Sequence, residues 1–127
     1  MKKQIKHVEI FHNAFNIKNN NSPIVNIGDK NFILRHSLMR EENEEYLEAC
    51  KEGNLVEVAD ALGDMMYILC GTILSHGLQH KIEEVFEEIQ KSNMSKLDLD
   101  GKPIYREDGK VLKGPNYFKP NIKPIIS

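Results

Sequence analysis

The sequence predicts an all-α chain: an antiparallel bundle of about four helices with a loop-rich C-terminal tail, its core completed by association with identical chains. Three observations carry that class. Apolar residues recur at spacings of three and four through most of positions 1–91, Gly53 and Gly77 stand where two long helical patterns stop, and beyond Ser92 the composition turns to Gly, Pro, Asp and Lys. With 127 residues, 40% of them hydrophobic, the chain has the size of one domain whose isolated core is modest. It reads as a single domain over 1–127, with a helical core over 1–91 and a loop and hairpin tail over 92–127.

Val8, Phe11 and Phe15 are spaced by three and four, which predicts a short first helix that dissolves into Asn19-Asn20-Asn21-Ser22-Pro23. A long helix follows from Asn31 to about Lys51, stopped near Gly53, where glycine supplies the left-handed backbone of a helix end. The next runs from Leu55 to about Ser75. Its stripe of Leu55, Ala59, Leu62, Met66, Leu69 and Ile73 is flanked by further apolar residues around most of the circumference, as expected of a central helix. Lys81 to Lys91 forms a shorter amphipathic helix with Ile82, Val85, Phe86 and Ile89 on one face and glutamates opposite. In the tail, Ile104-Tyr105-Arg106 and Lys110-Val111-Leu112 flank Asp108-Gly109, the signal of a small hairpin with a two-residue turn.

A formal net charge of −2, from 17 basic and 19 acidic residues, gives no global attraction for nucleic acid, so any anion site is local. Cys50 and Cys70 lack CxxC spacing and read as small buried hydrophobes. The first residues are not followed by the apolar stretch of a signal peptide, and no run approaches membrane-spanning length. A soluble cytoplasmic protein without nucleic-acid or membrane partners is the expectation.

The chemistry concentrates in two segments, Arg40-Glu41-Glu42-Asn43-Glu44-Glu45 and Glu57-Val58-Ala59-Asp60-Ala61-Leu62-Gly63-Asp64. At about 100° per residue, Leu34, Leu38, Glu42, Glu45 and Ala49 fall within about 80° of one another, with Glu41 at the edge. Two carboxylates thus occupy an apolar stripe, where burial without a partner is costly and calls for a cation or a shifted pKa. Glu57, Asp60 and Asp64 share a strip of similar width, continued by Ile68 and Gly71. Two antiparallel helices joined near Gly53 would bring these strips together around a divalent metal such as magnesium; solvated acidic faces are the plainer alternative. A four-helix di-iron site needs Glu-x-x-His from two helices, a pair this chain does not supply. His76 and His80 are separated by Gly77 at a helix end, which disfavours a zinc pair, and His36 suits a helix surface or a subunit contact. No GxxxxGK[ST] or GxGxxG loop is present.

Glu41-Glu42-Asn43-Glu44-Glu45, then Ala61-Leu62-Gly63-Asp64-Met65-Met66-Tyr67, resembles the all-α, MazG-like nucleoside triphosphate pyrophosphohydrolase superfamily, which includes phosphoribosyl-ATP pyrophosphohydrolase. Phe11-His12-x-x-Phe15, Ser92-Asn93-Met94-Ser95-Lys96 and Gly109 to Pro115 extend the likeness over most of the chain. The family pattern is Glu-x-x-Glu followed by Glu-x-x-Asp. Glu42 and Glu45 match its first half. Aligning Asp64 with the final acid leaves Ala61 where an acid is expected, with Asp60 one residue earlier; aligning Glu57 and Asp60 instead gives a short connection.

The resemblance implies magnesium-dependent hydrolysis of a triphosphate between its α and β phosphates, releasing nucleoside monophosphate and pyrophosphate, with manganese as a possible substitute. Glu42, Glu45, Asp60, Asp64 and Glu57 are the candidate metal ligands. Glu41 or Glu45 is the candidate for orienting the attacking water, and Asn93, Lys96, Lys110 and Lys113 for contacting phosphates or base. Tyr117 and Phe118, beside Pro115 and Pro120, read as a strap on the core more than as a base platform. A homodimer or homotetramer in nucleotide-pool clean-up is expected. The alternatives are phosphoribosyl-ATP as substrate, or a non-catalytic module pairing through Leu55, Leu62, Met66, Leu69 and Ile73.

Overall fold

Helix-favouring sequence between three left-handed stops builds the first 80 residues of the computed structural model, which describes residues 1–127 and contains no strand, only an isolated bridge in the tail. The helices are α1 (Lys2–Ala14), α2 (Asp29–Lys51), α3 (Leu55–Ser75), α4 (Ile82–Met94) and a single turn, α5 (Lys123–Ile126). They fall in two compact units, Met1–His80 and Lys81–Ser127, so α4 groups with the C-terminal segment. The chain is all-α, as the periodicity predicts.

In the first unit each helix ends in the same way. Asn16, Gly53 and Gly77 have φ of 59°, 66° and 67°, and the residue after each donates its N–H to the carbonyl three residues before the helix cap: Ile17 to His12 (2.8 Å), Asn54 to Ala49 (3.0 Å) and Leu78 to Ile73 (3.0 Å). This is the Schellman closure, which favours a residue without a Cβ, or asparagine. Gly77 has a second reason, because a Cβ there would collide with the Ser22 carbonyl. α3 then starts immediately, Asn54 Oδ1 accepting the Glu57 N–H at 3.2 Å as an N-cap.

The 15–28 connection is tied to the end of α3. Asn20 donates from its backbone to Leu74 O (3.0 Å) and from its side chain to Ser75 O (2.7 Å), Gln79 Nε2 reaches Asn20 O (2.8 Å), and Ile24 N reaches His76 O (3.0 Å). His76 spends its ring on Ile24 O at 2.9 Å, a structural tether, and His36 is exposed.

Several expectations need correction. The first helix begins at Lys2 and buries Ile5, Val8 and His12, whereas Phe11 and Phe15 are 38% and 64% exposed and stack at 4.4 Å. Ile5, one turn before Val8, supplies the extra anchor. Cys70 is fully buried, but Cys50 is exposed because Ala49 takes the inward position in that turn. α3 does reach membrane-spanning length and apolarity. Its acids and its packing against α1 and α2 are those of a bundle's central helix, a case that hydropathy alone does not separate.

In the second unit α4 runs three residues beyond Lys91, and its covered side includes Ser92, not Phe86, which is 65% exposed. The tail explains this: Ser92 Oγ donates to Phe118 O (2.8 Å) and Phe118 N donates to Ser95 Oγ (3.1 Å), so Tyr117 and Phe118 belong to a strap closing over the end of α4. The hairpin turn has three residues instead of two. Arg106 N reaches Lys110 O (2.8 Å), Gly109 N reaches Arg106 O (2.9 Å), and Gly109 sits at φ 87°, the turn-plus-bulge form. α5 lies in what the sequence reads as loop.

Candidate metal centre

Antiparallel pairing of α2 and α3 follows from the short Gly53 turn and fixes which side chains meet. Arg35 near the start of α2 reaches Thr72 and Ile68 late in α3, while Glu42 meets Asp64 a turn or two nearer the connection. Glu42, Glu45 and Asp64 each place a carboxylate oxygen within 4.8 Å of the others. Glu42 is half-buried, and its Oε2 is fully enclosed without a hydrogen-bond partner; Glu45 and Asp64 are exposed. Desolvation, then Glu45 as a hydrogen-bond partner and as a charge, then the Asp64 and Asp60 charges push the Glu42 pKa up to about 7.

Three hard oxygen donors with no histidine or cysteine among them suit magnesium, manganese or calcium more than zinc. The orphaned Glu42 oxygen and the crowding of like charge are what a cation at this point would relieve. The residues therefore fit a divalent ion, and the cluster could bind one.

Of the other acids, Asp60 is close enough to act electrostatically on Glu42 but stands outside the trio, and Glu57 is exposed in the first turn of α3, where its backbone serves the N-cap. Ala61, where the family pattern expects an acid, is 1% exposed and packs inside. Glu41 is exposed and lines a shallow depression with Ser37, Arg40, Glu44 and Glu45. Asn93 and Lys96 lie at the end of α4, and Lys110 and Lys113 in the tail, all in the second unit. Lys113 stacks its ammonium 4.9 Å from the Tyr117 ring centre.

Sequence periodicity does not reveal a buried polar cluster beside the acids. His12 is 2% exposed, its Nδ1 lies 2.6 Å from Asn19 Oδ1, and burial lowers its pKa. Arg35, half-buried, donates from Nε to Thr72 Oγ1 (3.0 Å) and from a terminal nitrogen to Ile68 O (2.9 Å). Both groups pack on Gly71, where a Cβ would strike the Arg35 guanidinium and lie 2.8 Å from His12 Nε2. A glycine continuing the acidic strip of α3 was the available signal, since it marks close approach by something large. The single Glu-x-x-His, Glu9 to His12, holds no metal arrangement: Glu9 pairs with Lys6 and His12 with Asn19.

The all-α helical hairpin contributes carboxylates from both arms to a cluster that could bind a divalent ion. Residues 8–93 match the profile of the phosphoribosyl-ATP pyrophosphohydrolase family. The chain belongs to that family, within the MazG-like all-α pyrophosphohydrolase superfamily. A search of curated proteins found no match. Family membership makes the chain a pyrophosphohydrolase of the phosphoribosyl-ATP or MazG-like type. The matched span includes every candidate acid and Asn93, and it stops short of Lys96, Lys110 and Lys113.

Proposed function

We propose that the protein is a magnesium-dependent nucleoside triphosphate pyrophosphohydrolase of the cytoplasm, cleaving between the α and β phosphates and serving nucleotide-pool clean-up. The observation that carries this reading is the Glu42, Glu45 and Asp64 trio with its unpartnered buried oxygen. Those three side chains would hold the ion, Asp60 adding negative charge behind them. A bound divalent cation supplies charge neutralisation and polarisation of phosphoryl oxygens. The chain's own share is positional: Glu45, or Glu41 on the adjoining depression, accepts a hydrogen bond from water and aims it in line with the bridging oxygen. Pyrophosphate then leaves.

The test is pyrophosphate release with magnesium across canonical and modified triphosphates. Turnover of at least one is expected, and manganese should substitute. The family match favours one second reading, phosphoribosyl-ATP as the substrate, so that compound belongs in the panel. If it alone is turned over, the second reading replaces the first; if nothing is, both fail.

The α3 stripe supports a further part of the proposal. Leu55, Leu62, Met66 and Leu69 are 79%, 49%, 46% and 44% exposed, and only Ile73 is buried. A long apolar stripe of this kind marks an interaction surface, and we assign it to a second copy in a dimer or tetramer. Sedimentation at micromolar concentration should give a species at least twice the 14.6 kDa chain. Leu62→Glu should shift it to the monomer, and a parent that already sediments as one would sink the assignment.

A further inference from the structure

A cavity of about 240 Å³ lies within the first unit, between the 15–28 connection, the start of α2 and the end of α3. Its polar lining is Lys18, Asn20, Asn26, Asn31, Arg35 and Ser75, and the rest is isoleucine and leucine. Two of the polar side chains are cations, and the lining holds no aspartate or glutamate. The N-terminus of the 23-residue α2 borders the same space through Asn26, Ile27 and Asn31, so the helix dipole adds positive potential. Asp29, in that first turn, is exposed and stands outside the lining.

Arg35 is the group that calls for a ligand. It is half-buried, and its fork is only partly used: Nε donates to Thr72 Oγ1 (3.0 Å), one terminal nitrogen donates to Ile68 O (2.9 Å), and the other terminal nitrogen has no acceptor in the chain. Both acceptors are neutral. The ion pairs of the chain are Lys6 with Glu9 and Arg106 with Asp108, so the Arg35 charge is drawn out of water with no carboxylate beside it, and burial lowers its pKa. An anion entering the cavity would compensate that charge. Thr72 and Ile68 hold the guanidinium in place beforehand, which lowers the ordering cost of binding.

We infer that this cavity is a subsite for a phosphate monoester group, with the Arg35 fork as its principal contact and Lys18 as the second cation. A guanidinium fork matches two phosphate oxygens, and two cations match a dianion better than the single charge of a carboxylate. The cavity is smaller than the roughly 300–1,000 Å³ that takes drug-sized ligands, so it suits a phosphate with a small sugar and not a whole nucleotide. It is also separate from the acidic cluster. Arg35 precedes Glu42 by seven residues, roughly 10 Å, and its anchors Ile68 and Thr72 follow Asp64 by roughly 6 and 12 Å, at 1.5 Å per residue. The group bound here is therefore not the anhydride being cleaved; its source is a second phosphate at the far end of the substrate or free phosphate. Binding stands apart from the proposed triphosphate activity, while any effect on kinetics rests on it.

The binding test uses the chain in chelator at constant ionic strength, titrated with inorganic phosphate and with ribose 5-phosphate. A saturable shift of the Arg35 Nε–H resonance is expected, and calorimetry should show affinity weakened about threefold or more in Lys18→Gln and about tenfold or more in Arg35→Gln. Lys18 is exposed, so its variant keeps the test decisive should Arg35→Gln fail to fold. No saturable shift, or folded variants that bind as tightly as the parent, overturns the subsite and leaves the catalytic reading standing. Turnover separates the two sources of phosphate. Phosphoribosyl-ATP carries a second phosphate and ATP does not, so Lys18→Gln should raise the KM ratio of the first to the second about threefold if the substrate's own phosphate fills the cavity. An unchanged ratio, with phosphate binding intact, assigns the cavity to free phosphate. Saturable binding in a chain that hydrolyses nothing keeps the subsite and ends the catalytic reading, and neither binding nor turnover overturns both.

Discussion

Glu45→Gln and Asp64→Asn should each lower pyrophosphate release by on the order of 10³-fold or more while helical circular dichroism and Tm stay at parental values. Both side chains are exposed, so the amides change no packing, and the only loss is anionic oxygen from a three-carboxylate cluster. Metal-borne charge stabilisation is worth several kcal/mol of barrier, and each 1.36 kcal/mol is a factor of ten. Glu57→Gln is the informative contrast. Its carboxylate stands outside the trio, so its activity should stay within about threefold of the parent, the range of an exposed charge change. Were Glu57→Gln as damaged as Asp64→Asn, the shorter alignment would be correct. Retention of activity within about tenfold in both Glu45→Gln and Asp64→Asn would end the metal assignment.

Periodicity is what makes this contrast available from the sequence, since it sets the candidate acids on two strips, Glu42 with Glu45 and Glu57 with Asp60 and Asp64. A helix fixes the angle between side chains, so Glu42 and Glu45 on a stripe with Leu34 and Ala49 had to meet a facing helix, and a glycine turn as short as Gly53 left α3 as that helix. The same rule says nothing about which of Glu57, Asp60 and Asp64 lies at the right height. Pairing of α2 and α3 brings the Asp64 carboxylate within 4.8 Å of those of Glu42 and Glu45. Position 61, the expected acid, turns inward and is filled by alanine.

Failures of the sequence reading share a cause as well. The spacing of Val8, Phe11 and Phe15 predicts the first helix but not its buried face, which polar His12 occupies, because Asn19 satisfies its ring and Gly71 leaves room. Ser92 displaced Phe86 on α4 for a like reason, the strap carbonyl of Phe118 being its partner. In each instance a hydrogen bond from a segment distant in sequence outweighs hydropathy, and no window of neighbouring residues contains that partner. Asn20 belongs to the same group. The run from Asn19 to Asn21 signals a loop, and only the fold shows the loop tied back onto Ser75 and His76.

Protons and cation should compete for Glu42, so that stability falls with pH in the metal-free protein while metal affinity rises. Burial and the surrounding acids raise its pKa in the folded chain from the ordinary 4.5 to about 7. Between these values the native state binds the proton that the unfolded state has released. The contribution of this group to stability is thus fully present below about 4.5 and is lost as pH rises through about 7. In chelator, the Tm of the parent should fall across that window, and Glu42→Gln should remove this part of the slope, since an amide has no proton to lose. A divalent cation needs the ionised form, so its apparent affinity should rise by up to about tenfold per pH unit below about 7 and level off above it, one proton leaving per ion bound. At a free concentration of about 100 times Kd the ion adds about 2.7 kcal/mol to the stability of the native state. Calorimetric titration with magnesium or manganese at pH 6 and 8, in buffers of different ionisation enthalpy, reads both affinity and proton release. Equal affinities at the two pH values with no proton released would mean that Glu42 does not ligate the ion, and the buried oxygen would then need another partner.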